Sequence, residues 1–511
     1  MTANPRPDAR ASANEAAYVA GAAAVILGSL AFRLFLSASL PLIADEAYAV
    51  VVSRQPSLSY FDHPLLGFGF ARAAAWLAGS EWSLVVRLPH VVLGALSGWL
   101  LFVVTRRAFG ARAAFWAVVW YSVAPFFLVS GGHFVVPDGP LNFFLLATLW
   151  LVLPQLLGEQ PARMSRWLAS GLALGLALLS KYTAVLFGLG ALIVLLSMPR
   201  GRRLLATPGP WAAGAVAVIC IAPVVVWNAQ NGWASFGFQS GRAVGGEFNP
   251  LNFLLVQLGQ AGFLLPWVWL VALGMVIAGL AAPRAPAERV FAILAAVPIV
   301  LFDIVAVFGR EILPHWSMPG FLFAFPLVGL WCARSAGRWR RVIPIASVVS
   351  ALLVAALAFG VVAQTRSAAV TNALGLAGRR DFDWTFLGWS ALAEDFRQRG
   401  IDGEAGAFIV PSSWLIGGKA GYALGPSVPV AEPLADPRHF AYVRDDRLAG
   451  RTRGFAVAAS WPEDAEAAAA DLKRLLDERY IPDGNFWLVA QRRSGEPAFV
   501  IVVQPVTPKT P

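Results

Sequence analysis

The stretch YVAGAAAVILGSLAFRLFLSASLPLIADEAYAVVVSRQPSLSYFDHP, residues 18–64, decides how the chain is read. Its first half, from Tyr18 to Leu42, is too long for the apolar region of a cleaved signal peptide. It is long enough to cross a hydrocarbon core of roughly 30 Å, so it reads as a retained first transmembrane helix. Its second half, ADEAYAVVVSRQPSLSYFDHP (44–64), then sets Asp45, Glu46, Asp62 and His63 just beyond that helix, at a membrane surface. A chain that is mostly apolar helix offers few places for acid and base chemistry, and this loop is the densest of them. Any one of these residues alone is an ordinary surface charge; together they mark a candidate catalytic loop.

Working outward, the composition agrees. Of 511 residues 58% are hydrophobic and 14% charged, with mean hydropathy +0.63, which excludes an ordinary water-soluble globule and describes a polytopic membrane protein. The formal charge of +10 invites a nucleic-acid reading, but residues 1–363 carry +11 and residues 364–511 carry −1. The excess lies where membrane topology explains it, so no nucleic-acid partner is expected. Cys220 and Cys332 sit in or beside separate apolar segments and imply neither a disulfide framework nor a thiolate metal site.

After the opening loop, apolar segments recur at 87–105, 113–131, 139–157, 167–180, 183–198, 210–228, 256–282, 290–308, 317–333 and 342–363, making eleven with the first. Backbone groups in hydrocarbon must be satisfied internally, so each is expected to be a helix. Sixteen arginines, from Arg6 and Arg10 to Arg340 and Arg341, fall in one set of connections. Only Arg54, Arg72, Arg87, Lys181, Arg242 and Arg310 fall in the other. Positive-inside bias places the N-terminal tail (1–16) in the cytoplasm and, after an odd number of crossings, the C-terminus outside. The domain plan is thus a membrane domain over 17–363, whose first outer loop is 43–86, and an outer domain over 364–511. Within that loop, LLGFGFARAAAWLAG (65–79) has the aromatic and small-residue mix of an interfacial helix. In the last region, short apolar runs (AFIVPSSWLI, GFAVAASW, FWLVAQ, AFVIVVQ) alternate with a helical stretch from Pro462 to Tyr480, the pattern of a small α/β domain.

Further polar groups return at the expected outer helix ends. HFVVPDGPL places Asp138 beside the membrane, Lys181 precedes Tyr182 between two segments, Arg242 belongs to a long outer loop, and FGREILPHW supplies Arg310 and His315. Each cation alone is equally an interfacial anchor. Taken together they divide into a base and a set of phosphate ligands: Asp45 as the base, and Lys181, Arg242 and Arg310, with His63, as groups that hold a phosphate. Asp138 is placed to orient His63 or Lys181 or to contact a sugar. Asp303, inside the ninth segment, is either functional or a buried hydrogen-bonding group. Trp227, Trp233, Phe236 and Phe238 read as an interfacial aromatic belt, with stacking on a sugar or prenyl chain as the other option.

DEAY (45–48), YFDHPLL (60–66), VRLP (86–89), PDGPL (137–141), SKYT (180–183) and LPHW (313–316), in that order, resemble the polyprenyl-phosphate-sugar glycosyltransferases of the GT-C type, the broad family of protein O-mannosyltransferases and the lipid A aminoarabinose transferase. The resemblance covers roughly residues 17–330. It implies a polytopic α-helical GT-C fold with a periplasmic C-terminal α/β domain, in the bacterial cytoplasmic membrane. It also implies an inverting hexosyl or pentosyl transfer from a polyprenyl-phosphate-sugar donor, at the outer leaflet, to an envelope acceptor (lipid A or lipopolysaccharide, another glycan, a lipid or a protein). By the match Asp45 is the acid of the first outer loop and Asp138 a second acid of the site, with Glu46 beside them. Asp62 and His315 join the substrate-binding set. His63 stands where the aminoarabinose enzyme has a lysine, and Tyr48 where it has an arginine, so that enzyme's sugar is not carried over. These motifs name no cofactor, and a divalent cation, used by some more distant relatives, finds no clear ligand set beyond Asp45, Glu46 and Asp138.

Two other classes compete. A transporter or lipid flippase would also have many helices and an intramembrane acid, but the sequence shows no paired halves, and its charges gather at one face instead of the midplane. A membrane scaffold accounts for the outer domain but not for the clustered acids.

Overall fold

The computed structural model describes residues 9–160, 163–311, 313–375, 384–401, 403, 406–476 and 479–509. Arg6 and the first half of the expected N-terminal tail lie outside them. The chain forms two compact bodies. One comprises the chain up to Phe35, His63–Gly67 and Pro89–Ala355; the other comprises Leu36–Asp62, Phe68–Leu88 and the chain from Ala356.

The first body is helical, and every expected apolar segment in it is found as helix. Six helices in the described chain are long and apolar enough to cross a membrane, and nine spans result if each bent pair counts as one. The expected count of eleven single crossings is therefore corrected, and proline is one cause. Pro125, Pro223 and Pro266 each sit at the start of a new helix where one continuous segment was expected, and Pro199 opens a further short helix just beyond the segment expected to end at 198. A proline removes an intrahelical donor and drives the preceding residue out of the helical region. At 250–281 the chain turns by 110°, with Leu265 at φ +72° directly before Pro266. The pairs 182–205 and 208–230 bend by 112° and 40°. Segment 113–131 survives as the shorter helix Ala111–Val123, and segment 167–180 is the 17-residue helix Met164–Ser180, one residue under the length counted as a span.

The core of this body is the helix Met318–Arg334, nearly all of whose residues are buried among Phe127, Leu145, Phe187, Phe291 and Leu294. Gly320 and Gly329 let its backbone approach Ala295 and Ala113 closely; a Cβ at either would stand 2.5 Å or less from a carbonyl oxygen. Small residues serve this purpose in membrane interfaces, where apolar burial alone does not hold helices together. Asp303 accepts hydrogen bonds from the side-chain amides of Gln257 and Gln260 at 2.9 and 3.0 Å. That is the plain reading of an acid inside a span, and it accounts for the residue.

In the second body the expected first outer loop is mostly helix. Ala44–Val52 and Leu65–Ala78 are both helical, the latter with Trp76 and Leu77 exposed. Asp45 and Glu46 occupy the first turn of Ala44–Val52, where negative side chains are favoured by the helix dipole. That helix packs on Trp414–Leu424, whose sequence WLIGGKAGYAL presents Gly418 and Gly421 to Tyr48 and Val51. The α/β reading of the last region holds. Five strands, β1 (Ala407–Pro411), β2 (Arg453–Ser460), β3 (Tyr480–Pro482), β4 (Trp487–Arg493) and β5 (Glu496–Pro508), form one sheet. β1 and β2 are parallel; β5 runs antiparallel to β2, β3 and β4. The helix Ala465–Leu476 covers it, with Ala469, Leu472 and Leu476 against Phe408, Ala456 and Val502.

Candidate active site

The candidate residues fall into two groups, one in each body. In the first body, Asp138 opens the helix Asp138–Leu156, and Pro140 within that first turn costs no hydrogen bond because the early N–H groups have no intrahelical partner. Lys181 leaves the end of Met164–Ser180 in extended conformation, and its ammonium donates to Asp138 Oδ1 at 2.9 Å. Both residues are buried, at 7% and 5% exposure. A buried charge pair of this kind is strongly disfavoured unless both members are present. His315, in the turn Pro314–Ser317, lies within the electrostatic reach of Lys181, Asp138 and Arg242. The guanidinium of Arg242 pairs with Glu311 at 2.8 Å and stands 5.2 Å from the rings of Phe238 and Trp316. Four of the sequence candidates are thus gathered. Arg310 is not among them: it is exposed and donates to the Gly245 carbonyl at 3.2 Å. His63 is half-buried. The expected long outer loop that carries Arg242 is largely the helix Ala234–Ala243, and Phe236 packs on Tyr182, the neighbour of Lys181, at 5.4 Å.

In the second body, Asp45 is reached by solvent yet hemmed in by protein, and desolvation raises its carboxyl above the usual range. Arg438 opposes that shift, whereas the charges of Glu46 and Asp62 add to it. Glu46, grouped with the catalytic acids from sequence, has a different place. It is wholly buried, and both of its oxygens accept from Arg87, at 2.8 and 2.5 Å. Arg87 also donates to the carbonyls of Ser37, Leu40 and Pro41, so the pair ties the end of the first span to the start of the helix bearing Asp45. Glu46 Oε2 also accepts from the backbone N–H of Ile43 at 3.1 Å, so the carboxylate holds the start of this helix in place. Asp62 and Tyr48 also prove to be internal partners. Tyr48 donates its hydroxyl hydrogen to Asp62 Oδ2 and accepts from the backbone N–H of His439 at 3.0 Å. Burial and the Asp62 carboxylate push the Tyr48 hydroxyl well above its ordinary value, which keeps it a donor.

Three residues of this group were not singled out in the sequence reading. Arg438 pairs with Asp62 at 2.9 Å and stacks 4.1 Å over the Trp414 ring. His439 accepts from the Phe61 N–H at Nδ1, and burial drops its pKa to about 3, so it is a neutral acceptor. Lys419 donates to the carbonyls of Leu42 and Leu387 at 2.8 and 2.5 Å; burial lowers its pKa to about 7. The available signals were DPRH (436–439) and the glycine-flanked lysine of IGGKAGY (416–422). A cavity of about 750 Å³ also opens in this body, between Trp76, Trp82, Trp389, Arg72, Lys419 and Tyr422.

The expected cation ligands are divided between the two bodies, Asp45 and Glu46 in the second and Asp138 in the first. Both oxygens of Glu46 are taken by Arg87 and one oxygen of Asp138 by Lys181. Among the described residues no group of three or more His, Cys, Asp or Glu side chains stands close enough to hold an ion.

Several known proteins are similar to this chain. The profile described as dolichyl-phosphate-mannose-protein mannosyltransferase matches residues 62–227. The lipid A galacturonosyltransferase RgtD of Rhizobium johnstonii is 24% identical over 299 residues, which are 56% of this chain and 59% of that protein. Among solved structures, ArnT from Cupriavidus metallidurans bound to undecaprenyl phosphate superposes with a TM-score of 0.62 at 18% identity, covering 94% of this chain and 97% of that one. Its apo form gives 0.59 at 18% identity, over 97% and 98%. The chain has the fold of these structures, a polytopic membrane GT-C fold with a C-terminal sheet domain, and the resemblance read from its motifs stands.

Proposed function

We propose, from that fold, that the chain is an inverting glycosyltransferase that moves a sugar from a polyprenyl-phosphate donor to an envelope acceptor at the outer leaflet of a bacterial cytoplasmic membrane. The observation that carries the reading is the buried Lys181–Asp138 pair with Arg242 and His315 beside it, which sets two cations and an imidazole at the ends of apolar helices. Such a set suits a phosphate on a greasy chain better than it suits a soluble nucleotide sugar. ArnT, whose fold the chain shares, was solved with undecaprenyl phosphate bound.

In this mechanism Asp45 takes the proton of the acceptor hydroxyl. The freed oxygen lone pair attacks the anomeric carbon opposite the phosphate, the carbon–oxygen bond to phosphate breaks, and its electron pair leaves on polyprenyl phosphate. Lys181 and Arg242 stabilise the charge that grows on the leaving phosphate. The ammonium has three donors and Asp138 uses one, so the carboxylate aims the lysine without exhausting it. The acceptor we favour is a lipid: the cavity near Trp76, Trp82 and Trp389 joins aromatic walls to the cations Arg72 and Lys419. RgtD, whose name specifies lipid A, supports the same choice.

The test is mass spectrometry of envelope glycolipids and glycans from cells with and without the gene. A sugar-sized mass on one lipid species, lost with the gene, is expected. Identical profiles, together with altered distribution of a lipid between leaflets, would favour the flippase instead.

A further inference from the structure

We infer that Arg438, carried by the C-terminal sheet domain, is a positioning residue for the reaction: its ion pair with Asp62 and its seat on the Trp414 ring fix a positive charge beside the helix turn that bears Asp45. The inference rests on the reading of Asp45 as the base.

Four observations converge on Arg438. Its guanidinium is held from two directions, by Asp62 at 2.9 Å and by the Trp414 face at 4.1 Å, which leaves it little freedom. Asp62 is itself fixed by the Tyr48 hydroxyl, and Tyr48 lies on the same helix as Asp45, one turn on. The backbone that delivers the guanidinium is bent into the left-handed region at both Asp436 (φ +40°) and Arg438 (φ +47°), although neither is glycine. Such conformations persist where the surroundings hold them and recur at functional sites. Lastly, of the side chains whose charges reach Asp45, Arg438 is the positive one; the others are Glu46, neutralised by Arg87, and Asp62.

The consequence is chemical. Desolvation pushes Asp45 toward its protonated form, in which it cannot accept a proton, and a fixed guanidinium pulls it back toward the carboxylate. Asp436 and Tyr48 also face Arg438 and, with Asp62, hold its charge in place. The sheet domain therefore contributes to the chemistry and is more than an appended lid.

The test reads the carboxyl directly. Full-length protein in detergent is treated with dicyclohexylcarbodiimide, which modifies protonated carboxyl groups, over the acidic to neutral range, and the peptide containing Asp45 is followed by mass spectrometry. Arg438→Gln is expected to raise the pH of half-modification by ~1 unit. Arg438→Lys should restore it. An Arg438→Gln curve superimposed on that of the wild type overturns the inference. Should Arg438→Gln fail to accumulate, Trp414→Leu, which removes the ring that seats the guanidinium, is read in its place: an upward shift supports the inference and a wild-type curve overturns it. Modification does not depend on sugar transfer, so loss of activity and loss of the labelling shift are separately observable.

Discussion

At the scale of single residues, the charged groups divide by whether they can change protonation usefully. Asp45 can: solvent reaches it and its carboxyl is raised, so base catalysis should fade as pH falls through a limb lying above the usual carboxylate value of roughly 4. A pH–rate profile whose acid limb lies at or below that value would count against Asp45. Lys419 is a second titrating group. Its pKa of about 7 is below that of a free lysine, so the unfolded chain binds the proton more tightly than the folded one. Between about 7 and 10 the unfolded state carries more protons, and stability should therefore rise with pH across that window. Thermal unfolding of the wild type should show the rise, and Lys419→Met should remove it. Glu46 holds structure through Arg87. Its neutral analogue Glu46→Gln leaves Arg87 charged in a site with no solvent exposure, and the loss should be about 3–5 kcal/mol, read as lowered unfolding temperature or failure to accumulate. Neighbouring letters in DEAY thus have separate tasks, which sequence order alone does not reveal: the helical turn points Asp45 toward solvent and Glu46 inward.

At the scale of elements, the legible and the illegible parts have different physics. Apolar length was legible because bilayer thickness sets it, and every expected segment is helical. The breaks were written in the sequence too, at Pro125, Pro223 and Pro266, but hydropathy averaged over a window passes over a single missing N–H. Asp138 and Lys181 were legible as outer helix ends, and they do meet at 2.9 Å. Arg438 and His439 were not, because their partners Asp62, Phe61 and Tyr48 lie more than 370 residues away in sequence. The glycines of Trp414–Leu424 make a test at this scale. A Cβ at Gly418 would stand 2.6 Å from the backbone nitrogen of Tyr48, so the helices must separate to accept one. Gly418→Val should destabilise by about 1–3 kcal/mol and lower activity through displaced Asp45, whereas the same change at the open Gly214 should do neither. Equal effects at both positions would contradict the packing account.

At the scale of the whole molecule, the positive charge concentrated on one set of connections gives a topology that can be read in cells. Alkaline phosphatase fused after Pro511 should be active and green fluorescent protein at the same place dark, since the sheet domain is expected outside. The opposite pair of signals would put the acids and cations on the side where no lipid-linked donor is expected. The central claim is tested most directly by sugar transfer in purified, reconstituted enzyme. A polyprenyl-phosphate sugar and envelope lipid extract would be supplied, with wild type and Asp45→Asn compared at matched unfolding temperature. Wild type should move the sugar, and the variant, with the same size but no basicity, should lose transfer by 100-fold or more, in line with the roughly 10²–10⁴ expected of a positioned base. Transfer by Asp45→Asn at near the wild-type rate would contradict it.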